Sequence, residues 1–116
     1  DMENLRTVDY VVGMTVFELE EQYDKVMEEL KSYDKFIFLT DIFGGTPFNR
    51  AVMKYAGNEN VKILAGVNFT LVYSALTADS DDFEEDIAEM IEAAKDEIAE
   101  FKPEKSTQDE NFDEGI

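Results

Sequence analysis

Cysteine is absent from this chain, and so are histidine and tryptophan. Without cysteine there are no disulfides, no thiolate nucleophile and no zinc–thiolate site, which fits a cytoplasmic setting. Without histidine, any chemistry that needs an imidazole must draw it from outside these residues. Basic side chains are scarce: 10 Lys and Arg stand against 28 Asp and Glu, a formal net charge of -18. That imbalance argues against nucleic acid or an anionic membrane as partner, since both are met by a basic face. It favours docking partners with positive surfaces. No apolar run approaches the roughly 20 residues of a membrane span, and no signal-peptide pattern opens the chain.

What is present suits a packed globule. Hydrophobic residues make up 44 % and aromatics 12 % of 116 residues, enough for one domain with a single core and too few for two. Val8, Tyr10 and Val12 alternate up to Gly13 and predict a short strand near a sheet edge. Thr15 and Glu18 form a capping-box pattern, and Val16, Leu19, Tyr23, Val26 and Leu30 follow at helical spacing. Glu21 and Lys25 are placed to pair on the wet side of that helix. The unbroken run Phe36–Leu39 predicts a strand covered on both faces. After the turn Ile42–Gly45, Thr46 suits an N-cap and Pro47 a first helical position, and Gly57 a stop. Val61–Val67 predicts another covered strand, with Asn68 and Thr70 able to cap the helix after it. Asp79–Asp82 starts a last helix with apolar positions from Phe83 to Phe101. Beyond Pro103 the apolar pattern collapses, and residues 104–116 read as an acidic, mobile tail. Strands alternating with helices predict an α/β domain over residues 1–103, with a mostly parallel, doubly wound open sheet, helices on both faces and a long C-terminal helix.

In such sheets ligands sit outside the carboxyl ends of the strands. Thr40 to Asn49 lies at one of these ends: Asp41 at the strand terminus, Gly44 and Gly45 where a backbone can approach a ligand closely, then a helix N-terminus. The N–H groups of Gly45, Thr46, Phe48 and Asn49 are the donors expected to face an anion. It is no Walker loop, because the spacing and the lysine are missing. Taken alone, the same residues serve equally as a strand-to-helix turn.

The full string Phe38-Leu39-Thr40-Asp41-Ile42-Phe43-Gly44-Gly45-Thr46-Pro47-Phe48-Asn49 resembles the signature of mannose-family enzyme IIA domains of the bacterial phosphoenolpyruvate-dependent sugar phosphotransferase system (PTS). Ala65-Gly66-Val67-Asn68-Phe69 is similar to the Gly-Val-Asn after that family's next strand, and Phe112 to Ile116 resembles its acidic tails. The resemblance implies a phosphoryl carrier: a histidine accepts the group from HPr and passes it to a IIB component, and a membrane permease takes part only indirectly. It assigns to Asp41 the orientation of that histidine, since a carboxylate fixes the tautomer and stabilises the imidazolium. Gly44, Gly45 and Thr46 fall beside the phosphoryl group, where N–H donors stabilise developing charge. Phe43, Asn49 and Asn68 fall near the site. No metal or organic cofactor is implied, and a homodimer is.

The family's first strand, its histidine loop and its first helix, roughly 25 residues by typical element lengths, have no counterpart here. The acceptor histidine is therefore expected upstream of residue 1, on a strand between those matching Val8–Val12 and Phe36–Leu39. A His-less regulatory or interaction module with the same fold is the alternative. A receiver-like domain phosphorylated on Asp41 would need an earlier acidic pair and a later lysine, but Lys62 lies inside a strand. The acidic residues Asp79 to Glu85 lack calcium-loop spacing and read as a solvated helix start. Phe43 serves as apolar collar or core, and Arg50 as phosphate contact or surface residue.

Overall fold

The computed structural model describes residues 3–103. Four helices and two strands follow in the order α1 (Val16–Glu29), β1 (Phe36–Thr40), α2 (Thr46–Tyr55), β2 (Val61–Ala65), α3 (Phe69–Thr77) and α4 (Phe83–Asp96). The two strands pair in parallel, from Phe36 opposite Val61 to Thr40 opposite Ala65. Because strand side chains alternate, the sheet presents two apolar faces, and each receives its own pair of helices. Phe38 and Ile63 meet Leu19 and Tyr23 of α1 and Ala51 and Tyr55 of α2. Ile37, Leu39 and Leu64 meet Leu71 of α3 and Ile87, Met90 and Ala94 of α4. The doubly wound α/β arrangement with helices on both faces is thus present around a two-stranded sheet. All five β1 residues stay half-buried, because neither strand has a second neighbour among the described residues.

Helix starts follow the sequence closely. The Thr15 hydroxyl accepts from the Glu18 N–H at 3.0 Å while the Glu18 carboxylate accepts from the Thr15 N–H at 2.8 Å. Asn68 caps α3 and Asp82 caps α4, where Oδ1 accepts from the Glu85 N–H at 3.0 Å. Asp82 is therefore occupied as a cap, with acidic residues beside it where the helix dipole favours them.

Three expectations are corrected. Val8–Val12 forms no strand: a strand exists through its neighbour's hydrogen bonds, and none lies beside this segment among the described residues. Val8 instead packs into the α1–α2 core, Arg6 pairs with Glu29 at 2.9 Å, and Val11 and Val12 are exposed. The last helix ends at Asp96, not Phe101, and at 14 residues only equals α1. Glu97 and Ile98 close it with N–H bonds to Ala94 and Lys95, and Ile98 and Phe101 are exposed. Glu21 and Lys25 form no ion pair. The acids of α1 reach across to α2, Glu20 to Arg50 at 3.1 Å and Asp24 to Lys54 at 3.1 Å. Residues 104–116, read as an acidic tail, lie outside the described residues.

Candidate functional site

Both strands end at the same level, with Thr40 opposite Ala65. The Thr40 hydroxyl donates to the Leu64 carbonyl at 2.9 Å, tying the strand ends together. Past the paired residues two more main-chain bonds join the loops. The Val67 N–H donates to the Thr40 carbonyl at 3.1 Å and the Gly66 N–H to the Asp41 carbonyl at 3.2 Å. Gly66 has φ +85°, the left-handed region that glycine enters without Cβ strain. The backbone of Asp41 is therefore held from the neighbouring loop, and its carboxylate stands exposed, with no hydrogen bond among the described residues.

Ile42 to Gly45 makes a four-residue turn, with the Gly45 N–H donating to the Ile42 carbonyl at 3.0 Å. Gly44 at its third position has φ +80°, the demand of a type II turn. Asn49 reaches back from α2 to donate through Nδ2 to the Gly44 carbonyl at 2.9 Å. This register makes Gly45 the N-cap, without a side-chain cap bond, and Thr46 and Pro47 the first helical residues. Thr46 is not the cap, because the turn closes one residue before it. The donor set narrows for the same reason: Gly45 gives its N–H to Ile42, and Asn49 gives its own to the Gly45 carbonyl at 2.8 Å. Thr46 and Phe48 keep N–H groups without a backbone acceptor, pointing along the positive end of α2. The Thr46 hydroxyl also has no partner among the described residues.

A polar seam sets the angle at which α2 meets the site. The Tyr23 hydroxyl donates to the Pro47 carbonyl at 2.8 Å, and burial, helped by Glu20, pushes its pKa up to about 12. The Tyr55 hydroxyl donates to Asp24 at 2.9 Å; burial and that bond raise its pKa. At Asp24 the effect of burial is outweighed by hydrogen bonds from Tyr55 and Lys54, so its carboxyl titrates below the usual range. Arg50 belongs to this seam through its ion pair with Glu20 and is half-buried, not a free surface residue.

Of the residues the sequence singled out, Asp41, Gly44, Gly45, Thr46 and Asn49 form one continuous loop and helix start. Phe43 lies over the Phe48 ring with centroids 4.7 Å apart and is 80 % exposed, so it is rim and not core. Asn68 lies on the adjoining loop with its side chain fully engaged, accepting from the Leu71 N–H at 2.9 Å and donating to the Ala94 carbonyl at 3.0 Å. Lys62 sits near the opposite end of β2 and pairs with Glu84, which leaves the receiver reading without its lysine. Thr40, Gly66, Val67 and Tyr23 were not singled out for the site. Thr40 opened the Thr40–Asn49 stretch, Gly66 and Val67 lay in the Ala65–Phe69 motif, and nothing pointed toward Tyr23.

Residues 1–99 match the protein family described as "PTS system fructose IIA component". The mannose-specific EIIAB component of the PTS system of Escherichia coli K12 is 31 % identical over 104 residues, which are 88 % of this chain and 32 % of that protein. The fructose-specific EIIA component of Bacillus subtilis strain 168 is 32 % identical over 74 residues, 64 % of this chain and 51 % of that protein. The chain thus spans about a third of the length of the mannose-specific relatives it matches. A Streptococcus pneumoniae PTS IIA protein associated with the fucose utilization operon superposes with TM-score 0.66 at 28 % identity, covering 76 % of this chain and 64 % of the other. The phosphotransferase component EIIA of Streptococcus agalactiae gives TM-score 0.66 at 20 % identity over 81 % of this chain and 73 % of the other, a likeness of fold.

Proposed function

Since the chain belongs to the mannose/fructose family of PTS EIIA components, we propose that it carries a phosphoryl group between HPr and a IIB component during sugar uptake. The acceptor is a histidine supplied from outside these 116 residues, which contain none. The observation that carries this reading is the exposed Asp41 carboxylate, set at the end of β1 beside the open N–H groups of Thr46 and Phe48.

Asp41 accepts a hydrogen bond from the far ring N–H of the acceptor, leaving the near nitrogen with a free electron pair. That pair forms the phosphorus–nitrogen bond as the phosphorus bond to HPr breaks, and the leaving group on HPr keeps its electrons. The ring becomes cationic, and the Asp41 carboxylate stabilises that charge. Thr46, through its hydroxyl and N–H, and the Phe48 N–H stabilise the phosphoryl oxygens, with Gly44 and Gly45 shaping the turn that presents them. The same steps reversed deliver the group to the IIB component. The work is done in the cytoplasm, and the carrier acts as a homodimer.

The test is the intact mass of the full-length protein after incubation with phosphoenolpyruvate, enzyme I and HPr. One acid-labile, base-stable phosphoryl group is expected, abolished by replacing the acceptor histidine. Asp41→Ala should slow its appearance by about 10- to 100-fold, the usual effect of losing a partner that orients a reactive imidazole. A folded protein that gains no mass would sink the carrier reading. The lack of histidine within these residues would then favour a regulatory or interaction module of the same fold.

A further inference from the structure

We infer that Asn68 is a positioning residue for Asp41: its amide clamps the Gly66–Val67 loop to the C-terminal turn of α4, and that loop holds the backbone of Thr40 and Asp41. The side chain spends both ends of its amide on helix termini of opposite polarity. Oδ1 accepts from the Leu71 N–H at the start of α3, and Nδ2 donates to the Ala94 carbonyl in the last turn of α4. Both anchors are rigid, since Leu71 and Ala94 are buried in one core cluster with Ile87 and Met90. One and two residues upstream, the Val67 and Gly66 N–H groups bond the Thr40 and Asp41 carbonyls at 3.1 and 3.2 Å. Gly66 and Val67, between β2 and Asn68, have no regular structure of their own, so their shape follows from the strand on one side and the clamped Asn68 on the other.

The residue type is specific to this task. Among small polar side chains only an amide carries its acceptor and its donor on two separate atoms, so that it can reach two helix termini in different directions. An aspartate would still cap α3, but it has no proton for Ala94 and would set a negative charge against the carbonyl end of α4. Asn68→Asp therefore removes the clamp and spares the cap.

The functional half of this inference rests on the role proposed for Asp41, and the experiment separates the two. In full-length Asn68→Asp, amide hydrogen exchange at Gly66 and Val67 should rise about tenfold, as expected when one supporting hydrogen bond is lost, while the amides of the β1–β2 ladder keep their rates. The maximal rate of phosphoryl transfer from HPr should fall about tenfold with an unchanged KM. In the Asp41→Ala background the same substitution should bring no further loss, because the two residues act in series. Unchanged exchange at Gly66 and Val67 would overturn the inference. So would exchange that rises equally along the whole ladder, or transfer losses that multiply in the double variant. If Asp41→Ala alone transfers at the wild-type rate, the role proposed for Asp41 fails, and the exchange data still decide whether Asn68 fixes the loop.

Discussion

Gly44 and Gly45 stand side by side and are needed for different reasons. A Cβ at Gly44 would meet nothing within 4 Å, but its φ of +80° is one that side chains resist. Gly44→Ala should therefore lower stability by about 1 kcal/mol through torsion alone, read as a lower urea midpoint at constant slope. At Gly45 an added Cβ would lie 3.3 Å from the Ile42 carbonyl oxygen and 3.4 Å from the Ile42 Cβ, so the objection there is steric. Tyr23 makes a prediction about pH. Burial and Glu20 hold its phenol protonated up to about 12, above its ordinary value of 10.0. Unfolding then releases a proton in alkali that folding retains, so its stabilising contribution is complete below pH 10 and declines as pH climbs towards 12. Tyr23→Phe loses the bond to Pro47 and about 1 kcal/mol at neutral pH. The variant should also show a shallower alkaline decline in thermal midpoint, part of the slope persisting because burial raises Tyr55 in the same direction.

Elements divide into those whose cause is local and those whose cause is remote. The Thr15–Glu18 capping box is local, was legible from four residues, and is present. Thr15→Ala should cost about 1 kcal/mol, measured by chemical denaturation, with Ser restoring most of it. The runs Phe36–Leu39 and Val61–Val67 marked the strands for the same reason, an apolar stretch bounded by turn residues carrying its own signal, though β2 stops at Ala65, before the left-handed Gly66. Val8–Val12 also alternates, yet pairing is a property of two segments, and alternation in one says nothing of whether the other is beside it. The periodicity through Ile98 and Phe101 likewise continues past Asp96, where the helix itself ends. At the site, Asp41 and its glycine turn were readable because their chemistry lies in side chains and torsions. The Gly66 and Val67 N–H bonds were not, because every residue but proline carries that donor. The shift of the cap from Thr46 to Gly45 was hidden for a related reason: it depends on Asn49 reaching back to Gly44, a contact made only once the turn has closed.

For the molecule as a whole, the charge of -18 is a self-repulsion that compaction worsens. Cross-helix pairs such as Arg50–Glu20 and Lys54–Asp24 oppose it locally. Screening acts on both, but unpaired acids far outnumber the bases available to them, so raising ionic strength from about 0.05 M to about 0.5 M should raise the thermal midpoint by a few degrees. A falling midpoint would show that the α1–α2 ion pairs outweigh the repulsion. The same bookkeeping suits encounter with basic partners, whose association should slow as salt rises. One feature of the site bears on heredity. The backbones of Asp41 and Thr40 are held by the amide protons of Gly66 and Val67, and these belong to the peptide chain and not to any side chain. At Val67 mutation can exchange the side chain and keep the amide proton, proline alone removing it outright, whereas Gly66 at φ +85° admits no side chain without strain. The end of β1 is thereby buffered against sequence drift at Val67, and that tolerance stops at its two neighbours, Gly66 for its torsion and Asn68 for its amide.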